Sequence, residues 1–284
     1  MKNVKLLSSI LFLFVYTISN AQVTESERSM TGGVYPALSV ILPDTDDKAA
    51  EKWWKTYLKE ISPKSKTKKV KKGDEYLTED FRDVHINGVN LINVYARTEE
   101  VGNDAEQIVW FELDSGSYLS KDSVSQESYE AAQKFMLRYG LHISKKKTEI
   151  ELKGEEKTMK GFESEMSKLA KQKETYHKKT ADAKQLIIDM NTAAEQNKQD
   201  QEAVQNEIDT EKDTKKLKSL NNDLKKLVKQ HGNYLKKIDG AEKLIPEMAA
   251  NIEQNILDQE AKKKEIKLQQ EVIVEVKKRL ADLQ

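Results

Sequence analysis

The sequence predicts an α+β head domain followed by a long α-helical coiled coil that folds back as an antiparallel helical hairpin. The first observation is the placement of the aromatic residues: all three Trp precede residue 111, and only Phe162, Tyr176 and Tyr234 follow residue 145. The second is a series of short apolar and amphipathic segments before residue 144. The third is a heptad repeat that starts near Met159. The first half is therefore expected to carry a packed core, and the second half a helical seam.

Residues 1–21 have the three-part layout of a secretory signal peptide. Lys2 and Lys5 precede a mostly apolar run, and Ser19 and Ala21 supply small residues before the expected cleavage point. The apolar run is shorter than the roughly 20 residues that a membrane-spanning helix needs. We expect cleavage after Ala21, export to the periplasm or the extracellular space, and membrane contact only through the signal peptide during export. An uncleaved N-terminal anchor is the alternative.

Composition excludes several classes of function. The chain has no cysteine, so it has no disulfide framework, no thiolate zinc site and no cysteine nucleophile. It carries 48 basic and 48 acidic residues, and thus no global field that would attract nucleic acid. The four histidines lack metal-ligand spacing, and no phosphate-cradling glycine loop or nucleophile elbow is present. We expect a protein that is not an enzyme and that uses no cofactor, metal or nucleic acid.

The head domain is predicted over residues 33–143, after a polar leader at 22–32. Its expected elements are a buried strand, an amphipathic helix, two strands joined as a hairpin, and a second helix that opens with a capping pair. In chain order these are residues 37–43, 45–61, 89–100 and 106–113, and the helix that Ser123 and Gln126 would cap. This order predicts helices on one face of a mainly antiparallel sheet.

Two adjacent tryptophans in the first predicted helix, Trp53 and Trp54, are a candidate binding surface. They could form a stacking platform for a sugar or a peptide. Neighbouring residues on a helix point about 100° apart, so both cannot face the same core. Core packing of one of them is the alternative interpretation, and it is the one we favour.

A lysine-rich segment supplies the other candidate surface. It could bind an anionic envelope component, such as lipid phosphate or an acidic polysaccharide. Lysines on an exposed strand also keep a sheet edge from pairing with neighbouring molecules, and a solvated edge or loop is the interpretation that we favour. The residues are Lys66, Lys68, Lys69, Lys71 and Lys72.

The coiled-coil region is predicted over residues 144–284. Residues at alternating intervals of three and four form one seam from Phe162 to Ile208 and a second from Leu217 to Leu283. Such a repeat, sustained over many turns, is typical of a left-handed coiled coil.

The two seams are out of step, because Leu217 lies nine residues after Ile208. Ordinary coiled-coil discontinuities insert three or four residues, so the step of a heptad plus two favours a turn near 209–216. Folding there would pair Ile208 with Leu217. A break between Gly232 and Pro246, or an unbroken helix in a parallel dimer, are the alternatives.

In layout the chain resembles the periplasmic chaperones of the Skp type, which combine a signal peptide, a β-containing body and helical-hairpin arms. It differs in placing a larger head first and in lacking a strong basic charge. We expect an exported, non-enzymatic interaction or scaffold protein of the cell envelope, with a protein partner or self-association through the coiled coil. A chaperone-like or ligand-binding role is the alternative. A hydrolase activity in the head, with Asp74 and Glu75 as acid and base, is the second alternative.

Overall fold

The computed structural model describes residues 22–114 and 116–283, so the predicted signal peptide lies outside the described residues. The chain divides into two compact units. Among the described residues, the sheet unit comprises 22–114, 116–150 and 279–283, and the hairpin unit comprises Glu151–Lys278.

The sheet unit contains one sheet in which every pairing is antiparallel. Its strands are β1 (Thr24–Met30), β2 (Gly33–Leu42), β3 (Lys66–Lys69), β4 (Tyr76–Phe81), β5 (Ile92–Val101), β6 (Asp104–Asp114) and β7 (Ser117–Tyr118). The strand order is β1-β2-β6-β5-β4-β3, and the short β7 pairs with the end of β6. The prediction of a hairpin made by β5 and β6 is confirmed, with Gly102 in its turn at a φ of 67°.

Strand β1 occupies the segment for which the sequence predicts a polar leader. It pairs with β2 along its whole length, so that Arg28 lies opposite Tyr35. The turn between the two strands places Gly32 at a φ of 107°, a backbone conformation that glycine adopts without strain. The sequence TESERSM has too few apolar residues to predict a strand. It can nevertheless form one, because an edge strand can remain largely exposed to solvent.

The helices of the sheet unit begin at polar caps. In α1 (Asp47–Ile61) the side chain of Asp46 accepts a hydrogen bond from the Ala49 N–H. A single turn, α2, follows at Val84–Asn87. The long helix α3 (Gln126–Thr210) begins after Ser125, whose hydroxyl accepts a hydrogen bond from the Ser128 N–H.

The predicted capping pair of Ser123 and Gln126 is therefore wrong. The Ser123 hydroxyl donates to the Tyr118 carbonyl at 3.0 Å and accepts from the Ser120 N–H at 2.8 Å. Ser123 therefore stabilises the turn that precedes α3, and Ser125 caps the helix instead.

One face of the sheet is covered by α1 and α3, as predicted, and the main core lies between them. Trp54 packs edge-on against Tyr139, with ring centroids 4.8 Å apart, and against Phe135 at 6.0 Å. The Tyr139 hydroxyl donates to the Ala50 carbonyl at 2.8 Å and so joins α3 to α1. Burial raises the pKa of Tyr139, which keeps this hydroxyl protonated.

The hairpin unit is built from the rest of α3 and from α4 (Thr214–Asp282) as far as Lys278. The two helices are joined by residues 211–213, inside the predicted turn at 209–216. The Asp213 carboxylate accepts from the N–H groups of Lys215 and Lys216 at 2.7 and 3.2 Å and caps α4. Glu211 accepts from the next two backbone N–H groups, and these hydrogen bonds lower its pKa.

The two helices of the hairpin pack against each other through the predicted seams, whose residues are all buried or half-buried. The Gln269 amide donates to the Glu155 carboxylate at 2.6 Å. This pair fits the register predicted from Ile208 and Leu217 to within one residue. Pro246 lies inside α4 without ending it, so the alternative break between Gly232 and Pro246 is wrong.

Candidate functional site

The two adjacent tryptophans have different environments. Trp54 is 1% exposed and belongs to the main core. Trp53 is half-buried and packs against the edge of the same core. They do not form a joint stacking platform, because the side chain of Trp54 is already enclosed by the aromatic rings of α1 and α3.

The lysine-rich segment lies on and just after β3, which is an edge strand of the sheet. Its five candidate residues, Lys66, Lys68, Lys69, Lys71 and Lys72, are all exposed. The ammonium group of Lys68 pairs with Glu79 on the neighbouring strand at 2.6 Å. This position suits the protection of a sheet edge, and binding of an anionic envelope component stays a prediction.

The two carboxylates nominated for acid and base chemistry have separate roles. Asp74 is exposed, and it lines a polar cleft of about 400 Å³. Glu75 is 2% exposed and accepts hydrogen bonds from the Thr31 N–H, the Thr31 hydroxyl and the Arg97 guanidinium at 3.2, 2.8 and 3.4 Å. A Cβ atom on Gly73 would lie 2.1 Å from the Thr31 hydroxyl oxygen. Glu75 thus joins the end of β1 to β5. A side chain at position 73 would displace the hydroxyl of Thr31 or the carboxylate of Glu75 and so disturb their hydrogen bond.

The face of the sheet opposite the helices carries a second, smaller aromatic cluster. Trp110 is fully buried there, and its indole N–H donates to the Tyr35 carbonyl at 3.3 Å. The rings of Tyr35 and Tyr118 stack 4.2 Å apart. Burial and the nearby Glu112 raise the pKa of Tyr118 to about 12, so its hydroxyl is neutral at physiological pH. The tyrosine rings of this cluster thus shield Trp110 from solvent, so no helix is needed to cover it.

Buried polar residues interrupt the apolar seam of the hairpin. Asn197 and Asn255 are 5% and 3% exposed, and each accepts a hydrogen bond from the glutamine four residues later. The Lys262 ammonium lies 2.7 Å from Glu165 and 4.8 Å from the centre of the Phe162 ring. The hydrogen bonds to Glu165 and Glu265 raise the pKa of Lys262. Polar groups at seam positions favour one register over others at some cost in stability.

A further apolar feature lies on the outside of α4. If the seam residues are lettered a and d of the heptad, then Val228, Leu235 and Ile256 each follow a d residue and occupy position e. They are 54%, 51% and 37% exposed. Because they are separated by multiples of seven residues, they lie along one line on the helix surface, which we name the position-e stripe. Ala249 lies on the same line.

The position-e stripe is not apparent from the spacing of the a and d positions alone. Helices that face a broad core carry apolar residues at a, d and e or g, whereas a two-stranded coiled coil needs only a and d. The third apolar position was therefore the available signal, and it was visible in the spacing of Val228, Leu235 and Ile256.

No group of three or more metal-ligating side chains is placed to hold a metal ion among the residues described. Within the same residues, no helix is both long and apolar enough to cross a membrane. No protein-family model, curated protein or solved structure matches the chain.

Proposed function

We propose that this chain is an exported, non-enzymatic scaffold protein of the cell envelope that associates with a second copy of itself through its hairpin. The exposed position-e stripe is the observation that carries the proposal. The signal-peptide layout of residues 1–21 supports export.

The seam itself does not need a second chain, since each seam residue is shielded within one hairpin. The stripe lies immediately beside that seam and continues its apolar surface outward. From Val228 to Ile256 the stripe extends over about 42 Å at 1.5 Å per residue, with Glu242 as its one charged position. Burial of apolar surface is the usual driving force for association between proteins, and a stripe next to a packed interface is a natural place for it.

The stripe is complementary to itself. Glu242 lies at its midpoint, with Val228 and Ile256 equally far on either side and Leu235 and Ala249 equally far inside them. Two copies that pair antiparallel about a two-fold axis at Glu242 would place Val228 opposite Ile256 and the large Leu235 opposite the small Ala249. A two-fold interface uses the same patch on both partners, and this spacing meets that requirement.

The proposed interface also contains a charge repulsion that weakens the dimer. Glu242 of one copy would meet the same residue of the other, and like charges at close range repel each other. We therefore expect a weak, reversible dimer rather than a permanent one.

The test is multi-angle light scattering over a range of protein concentrations. We expect the molar mass to rise from monomer to dimer, and the double variant V228Q/L235Q to weaken dimerisation about a hundredfold. Partial loss of apolar burial at four side chains, at about 0.7 kcal/mol each, gives this magnitude. The variant E242Q should strengthen the dimer by removing the repulsion.

The matched control is L257Q, because Leu257 is 54% exposed on the same helix but lies off the stripe. It should leave dimerisation unchanged. A chain that stays monomeric at every concentration would overturn self-association. A dimer that responds equally to L257Q and to the stripe variants would also do so.

A further inference from the structure

An open cleft lies in the sheet unit between α1 and the first part of α3, apart from the surfaces described above. Its volume is about 660 Å³, within the range of about 300–1,000 Å³ that small-molecule sites occupy. The residues that line it are Tyr57, Ile61, Arg138, Leu141, His142, Lys145 and Leu283.

The cleft has apolar walls that solvent reaches. Ile61 is 41% exposed and Leu141 is 46% exposed. Tyr57 is 6% exposed, and burial raises its pKa to about 12, so it contributes a neutral ring. Exposed aliphatic side chains grouped around a concave surface are suited to an alkyl chain, which gains free energy in proportion to the apolar area it buries.

Two cationic side chains line the cleft, those of Arg138 and Lys145, and both lie on α3. No carboxylate is among the lining residues. The Arg138 guanidinium already has a partner, the Asp83 carboxylate at 3.7 Å. No carboxylate lies within ion-pair distance of the half-buried Lys145 among the described residues. Lys145 is therefore the lining cation without an ion-pair partner, and a second carboxylate near the cleft, that of Glu60, lies 4.0 Å from His142 Nδ1.

His142 adds one polar atom without a partner. Its Nδ1 lies 4.0 Å from the Glu60 carboxylate, so only the other ring nitrogen is unpaired. Burial lowers the pKa of its imidazole, so this side chain is neutral at pH 7. Its Nε2 atom is buried and has no hydrogen-bond partner in the described part of the chain. A buried polar atom left unpaired is costly, and an oxygen of a bound ligand could supply the missing partner.

We propose that this cleft binds a long-chain carboxylate, that is, a single-chain fatty acid, with its headgroup at Lys145 and its alkyl chain along Leu141 and Ile61. A single free cation matches a carboxylate, which carries one negative charge. A phosphate monoester carries about 1.5 to 2 negative charges near neutral pH and would leave part of its charge uncompensated. This site is independent of self-association through the position-e stripe.

The experiment is isothermal titration calorimetry on the protein purified as cells produce it, with dodecanoate below its micelle concentration as the probe. Dodecanol tests the need for a charge, and dodecyl phosphate and inorganic phosphate test the choice of headgroup. We expect saturable binding of one dodecanoate per chain. We expect dodecanol and dodecyl phosphate to bind at least about tenfold more weakly, and inorganic phosphate to give no binding.

Variants separate the headgroup contact from the apolar contact. K145Q should weaken dodecanoate binding at least about tenfold, the lower end of the cost of losing a hydrogen bond to a charged group, and should leave dodecanol binding unchanged. L141N should weaken both ligands. The matched control is K146Q, because Lys146 is the next residue of the helix, pairs with Glu149 at 3.4 Å and does not line the cleft.

Three results would overturn the proposal: no saturable dodecanoate binding, equal effects of K145Q and K146Q, or tighter binding of dodecyl phosphate than of dodecanoate. The stripe variant V228Q/L235Q should bind dodecanoate like the unmodified protein. Loss of dodecanoate binding in that variant would contradict the assignment of the site to this cleft.

Discussion

The sheet unit and the hairpin unit bury their apolar side chains in different ways. In the sheet unit, Trp54 of α1 is enclosed by Phe135 and Tyr139 of α3, residues distant in sequence that form one compact core. In the hairpin unit, the shielded residues recur every three or four positions along two helices. The stability of the first unit thus depends on a few large side chains, and that of the second is distributed along a seam.

The largest expected effect concerns the neighbouring tryptophans of the sheet unit. Trp54→Ala should lower the free energy of unfolding of that unit by about 3–5 kcal/mol, since it removes a large side chain that is 1% exposed. Trp53→Ala should cost about 1 kcal/mol because Trp53 is only half-buried. Urea unfolding followed by tryptophan fluorescence measures the difference, since each variant keeps Trp110 and one of the two neighbouring tryptophans. Equal costs would show that the main core is not organised around Trp54.

A smaller effect is expected in the hairpin unit, where each seam residue contributes a limited share. Ile238 is 8% exposed in the seam, and Ile238→Ala should cost about 2 kcal/mol. Ile188 is 58% exposed, and Ile188→Ala should cost less than about 0.5 kcal/mol. Far-ultraviolet circular dichroism during urea unfolding reports on these helices. A larger loss for Ile188 than for Ile238 would place the seam on the other face of the hairpin.

The smallest expected effect is the pH dependence that His142 adds to the sheet unit. The pKa of His142 in the folded chain lies below the ordinary value of 6.5, and burial is the largest cause. The unfolded chain therefore binds the proton more tightly, so protonation favours unfolding. Well above pH 6.5, the titration of His142 has no effect on the free energy of unfolding. As the pH falls from 6.5 through the pKa of His142 in the folded chain, the free energy of unfolding decreases. His142→Gln should remove this part of the pH dependence, and an unchanged profile between pH 7 and pH 5.5 would contradict it.

The same contrast explains what the sequence predicts and what it does not. The hairpin seam is a local property, so the spacing from Phe162 to Ile208 and from Leu217 onward is enough to locate the turn at residues 211–213. Strand β1 could not be predicted in this way, because its polar residues form a strand only through pairing with β2. Non-local pairing leaves little trace in local composition.

The candidate surfaces also divide into those that local sequence predicts and those that depend on contacts between distant segments. The exposed lysines of β3 and the different burial of Trp53 and Trp54 agree with helical and edge-strand arguments available from sequence. The cleft at Lys145 could not be foreseen, because it is formed by α1, α3 and Leu283 from distant parts of the chain. The position-e stripe could have been found by counting a third apolar position in each heptad.

The central claim is that the seam closes within one chain as an antiparallel hairpin. The absence of cysteine from the sequence allows a direct test, with one cysteine placed at Glu155 and one at Gln269. These positions face each other across the hairpin, since the Gln269 amide donates to the Glu155 carboxylate. After mild oxidation, the doubly substituted protein should form a disulfide within one chain, seen as a faster-migrating band of monomer mass without reductant. A disulfide that forms only between chains would contradict the hairpin and would favour a parallel assembly of uninterrupted helices.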